Sequence, residues 1–292
     1  MGFSGATLPG KTNDACAAWR CRASARDRTS LCIKIHNEFL VPDLPVRRPL
    51  LFVLAFAFAA LARAGEVQVA VAANFAGPFA KLGEQFTAAT GHVLKVSSGA
   101  TGKFYSQIVH GAPFEVLLAA DDETPRKLVA EGYGIAGTAF TYALGRLALW
   151  SAQPGLVDAQ GAVLASAKVK HVAIANPKVA PYGMAAMEVI RARGLADALA
   201  AKLVTGESIA QTFQFVATGN AELGFVALSQ VAVPGKPASG SCWLVPPNLY
   251  SEIRQDAVLL KAGEKNPAAR ALLDFLKTQP AKAVIREFGY GL

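Results

Sequence analysis

Residues 67–108 read as strand, tight turn, helix, strand, glycine-rich turn, helix, an order that few folds accommodate. The first strand is Val67-Gln-Val-Ala-Val-Ala and the turn is Ala73-Asn-Phe-Ala-Gly-Pro78, followed by a helix over residues 79–90. Val93-Leu-Lys-Val-Ser-Ser is the second strand, and Gly99-Ala-Thr-Gly-Lys103 opens the second helix. Each strand passes to a helix through a short loop of small and polar residues. The first turn of such a helix leaves several backbone N–H groups without an intrahelical acceptor. Two such turns side by side form a site for an anion, whose second half is expected near Tyr182 and Ile209.

The same alternation continues down the chain. Short apolar strands are expected at residues 116–120, 147–150, 172–175, 223–228 and 253–260. Helices are expected after Pro125, Pro181, Ser208, Pro267 and Pro280. Strands alternating with helices predict parallel sheets with helices on both faces. The Pro-, Gly- and Ser-rich segment 234–240 and Pro246-Pro247-Asn248 mark loops. The strand at 147–150 is expected to carry the chain into a second domain and the one at 253–260 to bring it back. This predicts one lobe from residues 65–142 and 252–292 and another from 143–251.

The formal charge of +8 raises the question of a nucleic-acid partner, so its location matters. Of 29 Lys and Arg and 21 Asp and Glu, nine and four fall in residues 1–64, leaving 20 against 17 in the rest. That remainder has no dense basic stripe to track a phosphate backbone, and no nucleic-acid partner is expected. Arg47-Arg48, an apolar run over residues 50–62 and the tripeptide Ala62-Arg63-Ala64 have the layout of a secretory signal peptide. The run is too short to span a bilayer. Residues 47–64 are therefore expected to be a signal peptide cleaved after Ala64, and residues 1–46 a leader with no structural role. Cys16, Cys21 and Cys32 fall in that leader at spacings matching no zinc pattern. Beyond residue 64 only Cys242 remains, so stability is expected from burial rather than from a cross-link.

An enzyme reading finds little to stand on. His92, His110 and His171 lie far apart and form no metal-binding or catalytic pattern. Ser98-Gly-Ala-Thr-Gly-Lys103 has the wrong glycine spacing for a P-loop, with Phe104 where the magnesium-binding hydroxyl would be. The cluster Asp121-Asp-Glu-Thr-Pro125 reads as helix N-terminal chemistry rather than as a cation site. What remains at the carboxyl ends of the strands, where open α/β sheets bind ligands, is Asn74, Thr101, Tyr182 and Ser208-Ile209. None is charged. A tetrahedral dianion can still be held by convergent neutral donors, because helix starts carry partial positive charge. Asn74 or Thr101 alone would read as an N-cap.

Several motifs together resemble one family. They are Ala72-Ala-Asn-Phe, Ser98-Gly-Ala-Thr-Gly-Lys-Phe-Tyr-Ser-Gln-Ile108, Gly111-Ala-Pro-Phe-Glu-Val, Ala120-Asp, Gly219-Asn-Ala-Glu-Leu-Gly-Phe-Val-Ala-Leu-Ser and the Phe288-Gly-Tyr-Gly end. Over residues 66–292 the chain is similar to the periplasmic molybdate-binding proteins of ABC importers, the ModA family. The resemblance implies a type 2 two-lobed periplasmic binding protein fold of class α/β, each lobe a mostly parallel sheet with helices on both faces. It also implies an oxyanion in the cleft, with Asn74, Thr101, Tyr182 and Ile209 at the ligand positions. Some members place a tyrosine hydroxyl on the anion from near residue 227. This chain has Ala227, and Tyr182 is expected to supply the hydroxyl instead. The implied function is an exported, monomeric binding protein without catalytic activity or cofactor. It would carry molybdate or tungstate to a permease and its ATPase, with molybdenum present only as the bound oxyanion. The alternatives are another tetrahedral oxyanion such as sulfate, or an enzyme on the same fold.

Overall fold

The computed structural model describes residues 64–235 and 239–292. The expected leader and nearly all of the expected signal peptide lie outside the described residues. In chain order the first lobe opens with β1 (Glu66–Ala72), a 3-10 turn (Ala73–Phe75), α1 (Ala76–Thr90), β2 (Val93–Gly99) and α2 (Thr101–Val109). It continues through β3 (Val116–Leu118), α3 (Glu123–Ala130) and β4 (Phe140–Gly145). The second lobe holds β5 (Leu147–Ser151), β6 (Val172–Ala175), α4 (Pro181–Ala192), α5 (Ala196–Ala200) and β7 (Leu203–Gly206). It ends with α6 (Ile209–Ala217), β8 (Leu223–Ala227), α7 (Leu228–Val231) and β9 (Ser241–Leu244). The chain returns with β10 (Ile253–Leu259), α8 (Pro267–Leu276) and α9 (Gln279–Glu287).

The two five-stranded sheets share one plan. Their orders are β2-β1-β3-β10-β4 and β7-β6-β8-β5-β9. In the first, β10 runs antiparallel to both β3 and β4; in the second, β5 runs antiparallel to β8 and β9. The sheets are therefore mixed, with four strands in one direction and the fifth reversed. The reason is connectivity. Strands β5 and β10 are those the chain enters on crossing between lobes, so they run away from the crossing while the others end towards it. Edge strands β7 and β9, which the sequence pattern did not announce, complete the second sheet. Both are four residues long and only partly buried, so neither shows the apolar run or alternation that identifies a strand.

Alternation along the strands divides the core between the sheet faces. Val67, Val69 and Val71 of β1 pack with Phe79, Leu82 and Phe86 of α1 and with Leu272 and Leu276 of α8. Ala70, between them, faces Phe104 and Ile108 of α2 on the other side. The period of two in the strand and the i, i+3, i+4 spacing in the helices produce this division. In the second lobe Leu147 and Leu149 face α4, while Ala148 and Trp150 lie with Val216 of α6. Burial is the main support of both lobes. The acidic cluster behaves as helix-start chemistry: Asp121 Oδ1 accepts from Thr124 N–H at 2.7 Å, and Asp122 pairs with Arg126.

Candidate functional site

Asn74, Thr101, Tyr182 and Ile209 line one cavity between the lobes. Its wall also includes Ala72, Ala73, Gly99, Ala100, Ala120, Ala180 and Pro181. Among the described residues, no charged side chain lines it. Small side chains leave the backbone accessible, and the backbone here consists of helix starts. Thr101 and Ile209 are the first residues of α2 and α6, and Tyr182 is the second of α4. Asn74 lies in the 3-10 turn that leads into α1. Among the described residues, the N–H groups of Asn74, Thr101, Tyr182 and Ile209 have no protein acceptor. First-turn N–H groups lack intrahelical partners by geometry, and the aligned peptide dipoles place about half a positive charge at each α-helix start. Such a cavity is suited to an anion rather than to a cation.

Neither Asn74 nor Thr101 is an N-cap. Position N-cap is held by Ala72 before the turn and by Ala100 before α2, with no side-chain cap in either case. Thr101 Oγ1 instead accepts from Ala120 N–H at 2.9 Å, which fixes the hydroxyl oxygen and leaves its proton for another partner. Both amide protons of Asn74 are used within the protein. Nδ2 donates to Gln255 Oε1 at 2.9 Å and to Tyr290 Oη at 3.0 Å. Asn74 therefore offers the cavity its main-chain N–H, and its side chain anchors the turn.

A family model described as bacterial extracellular solute-binding protein matches residues 67–291. The molybdate-binding protein ModA of Azotobacter vinelandii is 61% identical over 234 residues, covering 80% of this chain and 93% of that protein. The Rhodobacter capsulatus molybdate-binding protein ModA is 54% identical over 237 residues, covering 81% and 92%. This chain belongs to the ModA family of bacterial extracellular solute-binding proteins. The solved periplasmic molybdate-binding protein of A. vinelandii has a TM-score of 0.76 and 43% identity to it, covering 77% of this chain and 99% of that one. The two-lobed architecture is thus the one expected for a ModA protein.

Behind the cavity of this ModA family member lies a buried polar network that sequence reading missed. Gln255, fully buried in β10, donates from Nε2 to Tyr182 Oη at 3.1 Å, and its Oε1 accepts from Tyr142 Oη at 3.1 Å. Ser229 Oγ of α7 donates to the Asn74 carbonyl at 2.8 Å, and Tyr290 Oη lies 2.8 Å from the same oxygen. Gln230 braces the other side: its Nε2 donates to the Ile209 carbonyl at 3.1 Å, and its Oε1 accepts from Ala227 N–H at 3.0 Å. Ala227 itself is buried at the end of β8 and does not line the cavity. Burial pushes the phenols of Tyr142, Tyr182 and Tyr290 well above their usual range, so all three are neutral hydroxyls. The sequence signal was available in one place only, the glutamine of Ile253-Arg-Gln-Asp-Ala-Val-Leu, a polar residue on a strand otherwise buried on that face.

Tyr182 owes its placement to a glycine. A Cβ on Gly145, the last residue of β4, would collide with the Tyr182 hydroxyl and with Gln255 Nε2. The absence of a side chain at the crossing point admits that hydrogen bond. Lys103, the cation nearest in sequence to Thr101, is not part of the cavity wall. It pairs with Glu207 from the other lobe, and this pairing holds the Glu207 carboxyl below its ordinary range.

Proposed function

We propose that this protein captures molybdate, and tungstate by the same contacts, and delivers it to a membrane permease driven by an ATPase. It is exported through the signal peptide at residues 47–64, works as a monomer and binds its ligand without chemical change. The observation that carries the reading is the uncharged cavity at which Asn74, Thr101, Tyr182 and Ile209 each present a backbone N–H with no protein acceptor. The names of the curated relatives support it. A dianion there would gain from three α-helix starts and the 3-10 turn, together with the hydroxyls of Thr101 and Tyr182. Neutral donors hold it without burying a counter-charge, whose desolvation would be costly. The lobes, residues 65–142 with 252–292 and residues 143–251, close on the anion because only the closed form offers donors from both sides.

Thermal denaturation tests the ligand. A ligand at a hundredfold excess over its Kd stabilises the folded state by about 2.7 kcal/mol. For two lobes of this size, molybdate should then raise Tm by roughly 5–10 °C. Sulfate and phosphate at the same concentration should raise it far less. Equal shifts with sulfate would replace molybdate by sulfate as the ligand.

A further inference from the structure

The lobes touch across the mouth of the cleft through a contact that involves no ligand. Gly102, second residue of α2 in the first lobe, donates its N–H to the carbonyl of Val179 in the second at 2.9 Å. The next residue, Lys103, pairs with Glu207 across the same gap. Val179 is not free to retreat. It sits in a tight turn in which Asn176 accepts the N–H groups of both Val179 and Ala180 on its carbonyl and that of Lys178 on its side chain. Asn176 N–H is in turn held by the Gly206 carbonyl at 2.7 Å.

We infer that Gly102 sets how closely the lobes can approach, and that the closed form of the cleft depends on there being no side chain at this position. A Cβ on Gly102 would lie 2.9 Å from Val179 Cα, 3.0 Å from its Cβ and 3.2 Å from its carbonyl oxygen. Two of these three are backbone atoms, which no rotamer change can move. Gly102 has ordinary helical backbone geometry, so the glycine is not required by the conformation of α2. In a helix alanine is favoured over glycine, and a substitution here strengthens the local structure while obstructing the inter-lobe contact. The effects on the fold and on closure thus have opposite signs, which a merely structural glycine would not produce. The Lys103–Glu207 pair is exposed on both sides and adds little.

In its effect on affinity the inference rests on the molybdate reading above, but its effect on closure does not. Gly102→Ala and Gly102→Val are compared with the unsubstituted protein by small-angle X-ray scattering, with and without molybdate, and by titration calorimetry with molybdate. Both variants should melt no lower than the parent without ligand, and should show a larger radius of gyration in both states. Their affinity should be lower by roughly tenfold or more, because the binding-competent closed form is depopulated. Variants that bind within about twofold of the parent and give superimposable scattering curves would overturn the inference. If the parent ignores molybdate, the ligand reading fails. The ligand-free scattering curves then decide the closure inference alone, expanded variants supporting it and unchanged ones refuting it.

Discussion

Gln255 Nε2 and Tyr182 Oη lie 3.1 Å apart, joining the strand that returns to the first sheet to the helix that opens the second lobe's share of the cavity. The glutamine is held at its other end by Asn74 and Tyr142, so the Tyr182 hydroxyl is fixed from the first lobe. Tyr182→Phe removes the acceptor of a buried amide. It should lower the stability of the ligand-free protein by about 1–3 kcal/mol. The proposed contact of the Tyr182 hydroxyl with the anion predicts a second effect, since loss of a neutral hydrogen bond to an ion weakens binding roughly ten- to a hundredfold. Urea denaturation and calorimetry read the two effects separately.

Thr101 and Lys103, two residues apart, should respond in opposite ways. Thr101→Val keeps the shape but leaves the buried Ala120 N–H without its acceptor and the cavity without a hydroxyl donor. Stability should fall by about 1–3 kcal/mol and affinity by at least tenfold. Lys103→Ala removes only an exposed inter-lobe pair, and should change affinity by less than about fivefold. The comparison separates an anion held by neutral groups from one held by charge. Near-complete loss of binding in Lys103→Ala alone would favour charge.

The three buried phenols predict the alkaline limit of the fold. Tyr142, Tyr182 and Tyr290 have folded-state values above the ordinary 10.0, with desolvation by burial as the leading cause. An acid whose pKa is raised by folding contributes stability fully present below its unfolded value and lost as pH rises through the folded one. The urea midpoint should therefore hold to about pH 9 and fall steeply above pH 10, as the unfolded chain ionises these groups first. Tyr182→Phe should make that slope shallower. A slope unchanged by the substitution would mean that Tyr182 is not buried as a neutral hydroxyl.

The sequence and the structure meet most closely where periodicity was strong. β1, α1 and α2 carry apolar residues at intervals that allow one arrangement only, and the four positions Asn74, Thr101, Tyr182 and Ile209 follow from strand-to-helix turns whose order could be read directly. They line one cavity because all four turns stand at the carboxyl ends of strands that run towards the lobe crossing. The reversed β5 and β10 were not legible, because strand direction depends on which sheet the chain enters and leaves no mark on local pattern. Nor were β7 and β9, too short and too exposed for an alternation. The supporting network was hidden for a different reason. Asn74 and Gln255 are 181 positions apart, and hydrogen bonds at such separations are created by topology. The part of Asn74 that sequence reading missed was the division of labour within the residue, since both side-chain protons are used inside the protein.

The central claim is that the oxyanion sits among helix-start N–H groups with no charged side chain against it. Crystals grown with molybdate and measured at the molybdenum absorption edge test it directly. The account predicts one strong anomalous peak in the cavity, its oxygens within about 3.2 Å of the N–H groups of Asn74, Thr101, Tyr182 and Ile209. A peak beside Lys103 or another surface cation, with the cavity free of anomalous signal, would contradict it.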